Sequence, residues 1–216
     1  MNDVRERILN AALTLFSANG FSGTTSSALA RGAGIAEGTL FRHFRSKHEI
    51  LLTLLRKVKG ELIHSVEKRL ESSRCHNGME RVLATVREYY SLASSPLPEF
   101  SIIFRDVLST NPQDSNAEAR EAVKDAYAYL ISLLEQAIEA GREDGSIRPD
   151  VRSHATAAVL LGTVVGSARA IHFDFVTLET VSNEFLKECC VRFLAPYGTT
   201  GDVTSADREE CGPDGK

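Results

Sequence analysis

Apolar residues recur at three- and four-residue spacing along almost the whole of this chain, and no convincing stretch alternates polar with apolar. Helices with one apolar face satisfy such a pattern, and a sheet does not, so the expected fold is all-α. The first helix begins at Asp3, with Glu6 three residues on as a capping box, and its stripe is Ile8, Leu9, Ala12, Leu15 and Phe16. Gly20 ends it, Thr24 or Thr25 caps a short helix running to Arg31, Gly34 breaks that, and a third short helix spans 37–44. Ser46 with Glu49 opens a long helix on Ile50, Leu51, Leu54, Leu55, Val58, Leu62, Val66 and Leu70. Further helices are expected near 79–92 and 99–108, from a capping box at Ser115 and Glu118 to Gly141, over 151–173 and over 178–194. Residues 197–216 lack periodicity and are expected to be a disordered tail.

The charge is uneven. Residues 1–70 hold 11 Lys or Arg against 6 Asp or Glu, and the rest holds 14 against 23, so a net −4 hides a front third at +5 and a remainder at −9. Like charge gathered at one end suits a polyanion such as nucleic acid. The N-terminus has no apolar signal segment, and Cys75, Cys189, Cys190 and Cys211 form no C-x-x-C pair, which points to a cytoplasmic protein with spare or packing thiols. The apolar run 155–168 is shorter than the roughly 20 residues of a membrane span, so no membrane partner is expected and the run reads as a buried helix.

The helix from about Thr25, the turn at Gly34 and the helix from Glu37 make a helix-turn-helix, the unit that lays its second helix in the DNA major groove. Spacing alone leaves open a hairpin that is only structural. The residues themselves say more: Phe21-Ser22-Gly23-Thr24-Thr25, Leu29-Ala30, Ala33-Gly34-Ile35, Gly38-Thr39-Leu40-Phe41-Arg42-His43-Phe44, Ser46-Lys47 and Glu49 closely resemble the N-terminal DNA-binding domain of TetR-type transcriptional repressors. The resemblance covers about the first 60 residues. It implies a DNA-binding domain over 2–62, an effector-binding and dimerisation domain over 63–196, and a homodimer on a palindromic operator that a small-molecule effector releases.

Leu29, Ile35, Leu40 and Phe44 are the apolar positions that lock the two helices, and Gly34 supplies the backbone freedom of the turn. Thr25, Ser26 and Ser27 stand at a helix N-terminus, where free amides attract a phosphate. Lys47 in the first turn of the long helix opposes the helix dipole, which makes sense beside a phosphate. By similarity Glu37, Gly38, Thr39, Phe41, Arg42 and His43 present the recognition helix, with Arg42 the expected guanine reader. Four positions depart from the family: Ala36 replaces a capping Ser or Thr, Phe41 stands where Tyr is frequent, Ser26 replaces a usual apolar residue, and Gly32 sits inside the second helix.

In the apolar helix Ala158, Gly162, Gly166 and Ala170 form a smooth ridge, which either packs within the chain or forms a dimer seam with Phe185, Cys189 and Phe193 of the last helix. The resemblance favours the seam. Tyr89, Phe100, Phe104, Tyr127 and His172 are the candidate walls of an effector pocket, which their type suits to an apolar or amphipathic molecule. Enzyme signatures are missing: Gly32-x-Gly34-x-x-x-Gly38 follows a helix rather than a strand, and G-x-S-x-G and H-E-x-x-H do not occur. No cofactor and no metal are expected, since the histidines are scattered. The competing reading is a helical adaptor, or a small-molecule-binding protein without DNA function.

Overall fold

The computed structural model describes residues 4–95, 98–103, 107 and 117–197, so Asp3, Ser115, Phe104 and the expected tail beyond 197 lie outside it. Among the described residues there are nine helices and no strand. The head consists of α1 (Val4–Gly23), α2 (Ser26–Gly32), α3 (Glu37–His43) and the start of α4 (Lys47–Ser72). Ile8, Ala12, Phe16, Leu29, Leu40, Phe44, Ile50 and Leu51 make its core, so the stripes read from spacing meet as expected. Gly20 breaks α1 with φ 79° and ψ 160°, a backbone that glycine adopts without a Cβ clash. Buried Thr24 closes the break by donating to the carbonyl of Gly20 at 2.8 Å. Gly34 has φ +65°, as the sharp turn before α3 demands.

Gly32 has a packing reason that its helix propensity does not show. A Cβ there would stand 3.2 Å from the Cβ of Ala11 and 3.4 Å from Cδ1 of Leu15, so the missing side chain lets α2 lie close on α1.

The second layer is α5 (Gly78–Ala93), α6 (Pro98–Ile102), α7 (Ala117–Asp144), α8 (Ser153–His172) and α9 (Asn183–Leu194): α5 and α7 pack along α4, α8 covers α5 and α7, α9 lies on α5, and α6 packs against α1 of the head. Its core runs from Val66 through Val86, Tyr90, Leu134, Leu161 and Val164 to Leu194. The helix expected from 178 begins instead at Asn183, because Ser182 caps it by accepting from the amide of Phe185 at 3.1 Å. Asn77 caps α5 in the same way. At that end the backbones of α5 and α7 touch: a Cβ on Gly78 would fall 2.1 Å from the nitrogen of Gly141. Asp144 accepts from the Gly78 amide at 2.7 Å and Ser146 from the Met79 amide at 3.1 Å, which ties the start of α5 to the end of α7.

Helix α8 is longer than the apolar run that marks it in the sequence. The helix extends beyond the apolar run to 20 residues and is long and apolar enough, by length and composition, to cross a membrane, with a third of its apolar window buried inside the protein. Its inner face, with Ala157, Leu161, Val164 and Ala168, packs in the core.

Candidate nucleic-acid interface and effector cavity

Thr25 caps α2, accepting from the amide of Ala28 at 3.1 Å, with Ser26 half-buried and Ser27 exposed in the first turn. Ala36 stands at the N-cap of α3 with no side-chain bond, so the amides at the head of the recognition helix have no side-chain cap. Along α3, Glu37, Gly38, Phe41 and Arg42 are exposed and Thr39 and His43 half-buried, while Leu40 is fully buried in the head core. The helix therefore has one face anchored and another open. Gly38 meets nothing within 4 Å of where a Cβ would stand, which leaves its backbone approachable. Phe41 is 46% exposed, an apolar side chain held on the surface of a polar head. The Arg42 guanidinium donates to Oγ1 of Thr39 at 3.3 Å, one turn back on the same face. Arg5 of α1 fixes the end of α3, donating to the carbonyl of His43 at 3.2 Å while lying 4.3 Å over the Phe44 ring.

Lys47 departs from its expected role as a phosphate contact. Its ammonium turns inward and donates to the carbonyls of Phe21 and Thr24, each at 2.7 Å, and sits 4.4 Å over the Phe21 ring. Two of its three protons are thus spent on the broken end of α1, and burial pushes its pKa below the usual lysine range. The carbonyls, rather than a phosphate, explain why a cation stands in the first turn of α4. An exposed cation, Arg45, stands just before the Ser46 cap of α4, and its amide donates to the Glu49 carboxylate at 2.6 Å.

Where head and second layer join, α4, α5, α6 and α7 enclose a cavity of about 30 Å³. Tyr89, Phe100 and Tyr127 are among the residues that line it. His172 does not: its ring bonds Oγ of Ser101 at 3.0 Å and stacks edge-on against Phe173. Burial raises the pKa values of Tyr89 and Tyr127, the latter to about 12, and their hydroxyls bond each other. The rest of the wall is apolar, apart from Lys59. Leu55 and Val123 belong both to this wall and to the core of the head. A groove of about 170 Å³ beside it shares Val58, Leu62 and Phe100.

On the outer side, Ala158, Gly162 and Gly166 are exposed and Ala170 half-buried, with open space around both glycines. Also exposed are Val159 (59%) on α8 and Phe185 (51%), Phe193 (47%) and Cys189 on α9. The ridge is therefore not used for packing within the chain. Among the described residues no cluster of His, Cys, Asp or Glu is placed to hold a metal ion.

The sequence model of the bacterial regulatory proteins of the tetR family matches residues 8–54, the segment that builds α1 to α3 and the start of α4. That segment carries the DNA-binding domain of the tetR family. The chain is 24% identical over 163 residues to the fatty acid metabolism regulator protein of Bacillus subtilis, spanning 73% of this chain and 78% of the relative. Its fold matches that of the regulator FadR from Bacillus subtilis solved with stearoyl-CoA, with a TM-score of 0.70, 20% identity, and 86% of this chain and 96% of the other covered. It matches equally the regulator AibR solved with isovaleryl coenzyme A and operator DNA, with a TM-score of 0.67 at 21% identity, covering 90% and 99%. The chain is a DNA-binding regulator of transcription whose helix-turn-helix is built by α2 and α3.

Proposed function

We propose that this TetR-family regulator is a cytoplasmic repressor without catalytic activity. It acts as a homodimer through α8 and α9 on a palindromic operator, and a small apolar or amphipathic effector of the acyl-thioester class releases it. The observation that carries the reading is the double membership of Leu55 and Val123, which line the cavity and also pack in the core of the DNA-binding head. At about 30 Å³ the cavity is far smaller than the roughly 300–1,000 Å³ of a drug-sized site. An acyl chain enters only by pushing α4, α5, α6 and α7 apart, and Leu55 and Val123 carry that movement into the head. Such an effector binds the expanded state better than the DNA-bound one, which is the condition for any release.

The ligands of FadR and AibR support the acyl class, and the exposed ridge of α8 with Phe185, Cys189 and Phe193 supports the dimer. Thr25, Ser26, Ser27 and Arg45 face phosphates, and Glu37, Thr39, Phe41, Arg42 and His43 stand on the reading helix, with Gly38 admitting the DNA closely.

The test is a gel shift with DNA fragments from around the gene, followed by addition of stearoyl-CoA or isovaleryl-CoA. Retardation of one fragment carrying an inverted repeat, with half-sites about 34 Å apart, and its release by an acyl-CoA is the expected result. An acyl-CoA that saturates the dimer and leaves operator affinity unchanged refutes the mechanism.

A further inference from the structure

Of the large apolar side chains exposed among the described residues, seven stand between Val159 and Tyr197, and the head holds one, Phe41. A residue advances about 100° around a helix, so the exposed residues of α3 fall in the order Glu37, Phe41, Gly38, Arg42 across an arc of about 140°. Phe41 and Gly38 therefore hold the middle of the open face. Its edges carry an acid and a cation.

The backbone beneath the ring is fixed. Leu40 and Phe44 are buried in the head core on either side of Phe41 in the chain, and Arg5 donates to the His43 carbonyl at 3.2 Å. Gly38 carries no side chain, and nothing lies within 4 Å of where its Cβ would stand, so a base edge can come up to the helix beside the ring. A phenylalanine has no atom that donates to a phosphate oxygen and none that pairs with the hydrogen-bonding edge of a base. One group in the major groove is apolar, the methyl of thymine, and contact with it tells thymine from the other bases. Burying the ring against that methyl removes apolar surface of both from water.

We propose that Phe41 is a specificity-determining residue, which reads the methyl group of one thymine in each operator half-site. The inference rests on the reading of α3 as the helix in the major groove, and adds to it a base that no hydrogen bond selects. Neighbouring Cα atoms are about 3.8 Å apart and stacked base pairs about 3.4 Å, so this thymine lies within about two base pairs of the guanine assigned to Arg42.

The experiment starts from duplexes that the full chain selects out of a random pool. The best site is then remade with deoxyuridine in place of each thymine in turn, which keeps the pairing and removes only the methyl. One thymine per half-site is expected at which the change weakens binding about fourfold, and about fifteenfold when both half-sites are changed. At that position 5-methylcytosine, which carries the methyl on a different base pair, should bind more tightly than cytosine. Phe41→Ala is expected to bring the ratio of thymine to deoxyuridine affinity to about one, and Phe41→Leu, still apolar, to keep part of it. Neither variant alters a buried residue, and thermal melts confirm folding. Deoxyuridine that is silent at every position overturns the role of Phe41, as does a selected site without a fixed thymine. A methyl effect that Phe41→Ala leaves at full size overturns it too, and hands the methyl to Thr39. In all three cases the selected site still upholds DNA binding, whereas a pool from which no duplex is enriched overturns DNA binding and this inference with it.

Discussion

Replacing Lys47 with Met keeps the aliphatic stem and removes the ammonium that holds the broken end of α1. Two hydrogen bonds from a charged donor to the carbonyls of Phe21 and Thr24 are lost, with the contact over the Phe21 ring. Bonds to charged groups are worth about 1.5–3 kcal/mol each and an exposed cation–π contact about 0.5–1 kcal/mol. Partial exposure and the released desolvation penalty reduce the sum, and the Phe21 carbonyl keeps the Thr24 amide at 3.3 Å. A loss of about 2–4 kcal/mol remains, which for a chain of this size lowers Tm by about 4–16 °C. The same substitution tests the DNA role. Each phosphate contact adds about 0.9 to the slope of log affinity against log salt, so two contacts in a dimer would add about 2. With its protons spent on carbonyls, Lys47 adds nothing, and the Lys47→Met slope is expected to equal that of the parent when both are measured well below melting. A variant that melts with the parent and loses about 2 from the slope would show that the inward bonds do not hold in solution.

Arg42→Ala is expected to cost about 1–3 kcal/mol on the best operator and to relax preference at one base pair, as read by competition gel shifts. Arg45→Ala should weaken all sequences alike and reduce the salt slope of the dimer by about 2. Gly166→Leu places a side chain in open space on one chain but between two chains in the dimer, so light scattering should show association weakened by about 1–3 kcal/mol with the monomer fold kept. Burial raises the Cys190 thiol from 9.0 to about 11. The folded state therefore keeps a proton that the unfolded chain releases, and this contribution is full below about pH 9 and lost as pH rises through about 11. Urea midpoints measured across that window should fall less for Cys190→Ala than for the parent, with the raised Tyr89 and Tyr127 titrating equally in both.

The head was legible because its information is local. Caps, the turn glycine and the apolar stripes each act within a few residues, so Ser46, Gly34 and Leu40 stand where spacing put them. Lys47 was misread for the opposite reason: its partners lie 26 and 23 residues away, brought beside it only by the break at Gly20. Arg45, one residue before Ser46, carried no pattern at all. In the cavity, residue type was enough to find Tyr89, Phe100 and Tyr127, since large aromatics on facing helices meet inside. The same criterion failed for His172, whose helix ends beside Ser101. Nothing local marks Gly78 and Gly141 as neighbours, because a backbone contact between two helices leaves no periodic trace.

That contact has a mechanical consequence. Gly78 and Gly141 meet with no room even for a Cβ, and the Asp144 and Ser146 bonds clamp the joint. Tyr89 stands 11 residues beyond Gly78 on α5, and Leu130 stands 11 residues before Gly141 on α7, so both arms from joint to cavity are about 16 Å long. The pair works as tongs, riveted at the handle and latched at the jaws by the bond between the Tyr89 and Tyr127 hydroxyls. Whatever is pressed between the jaws opens them at the end nearest the DNA-binding head and moves the rivet hardly at all.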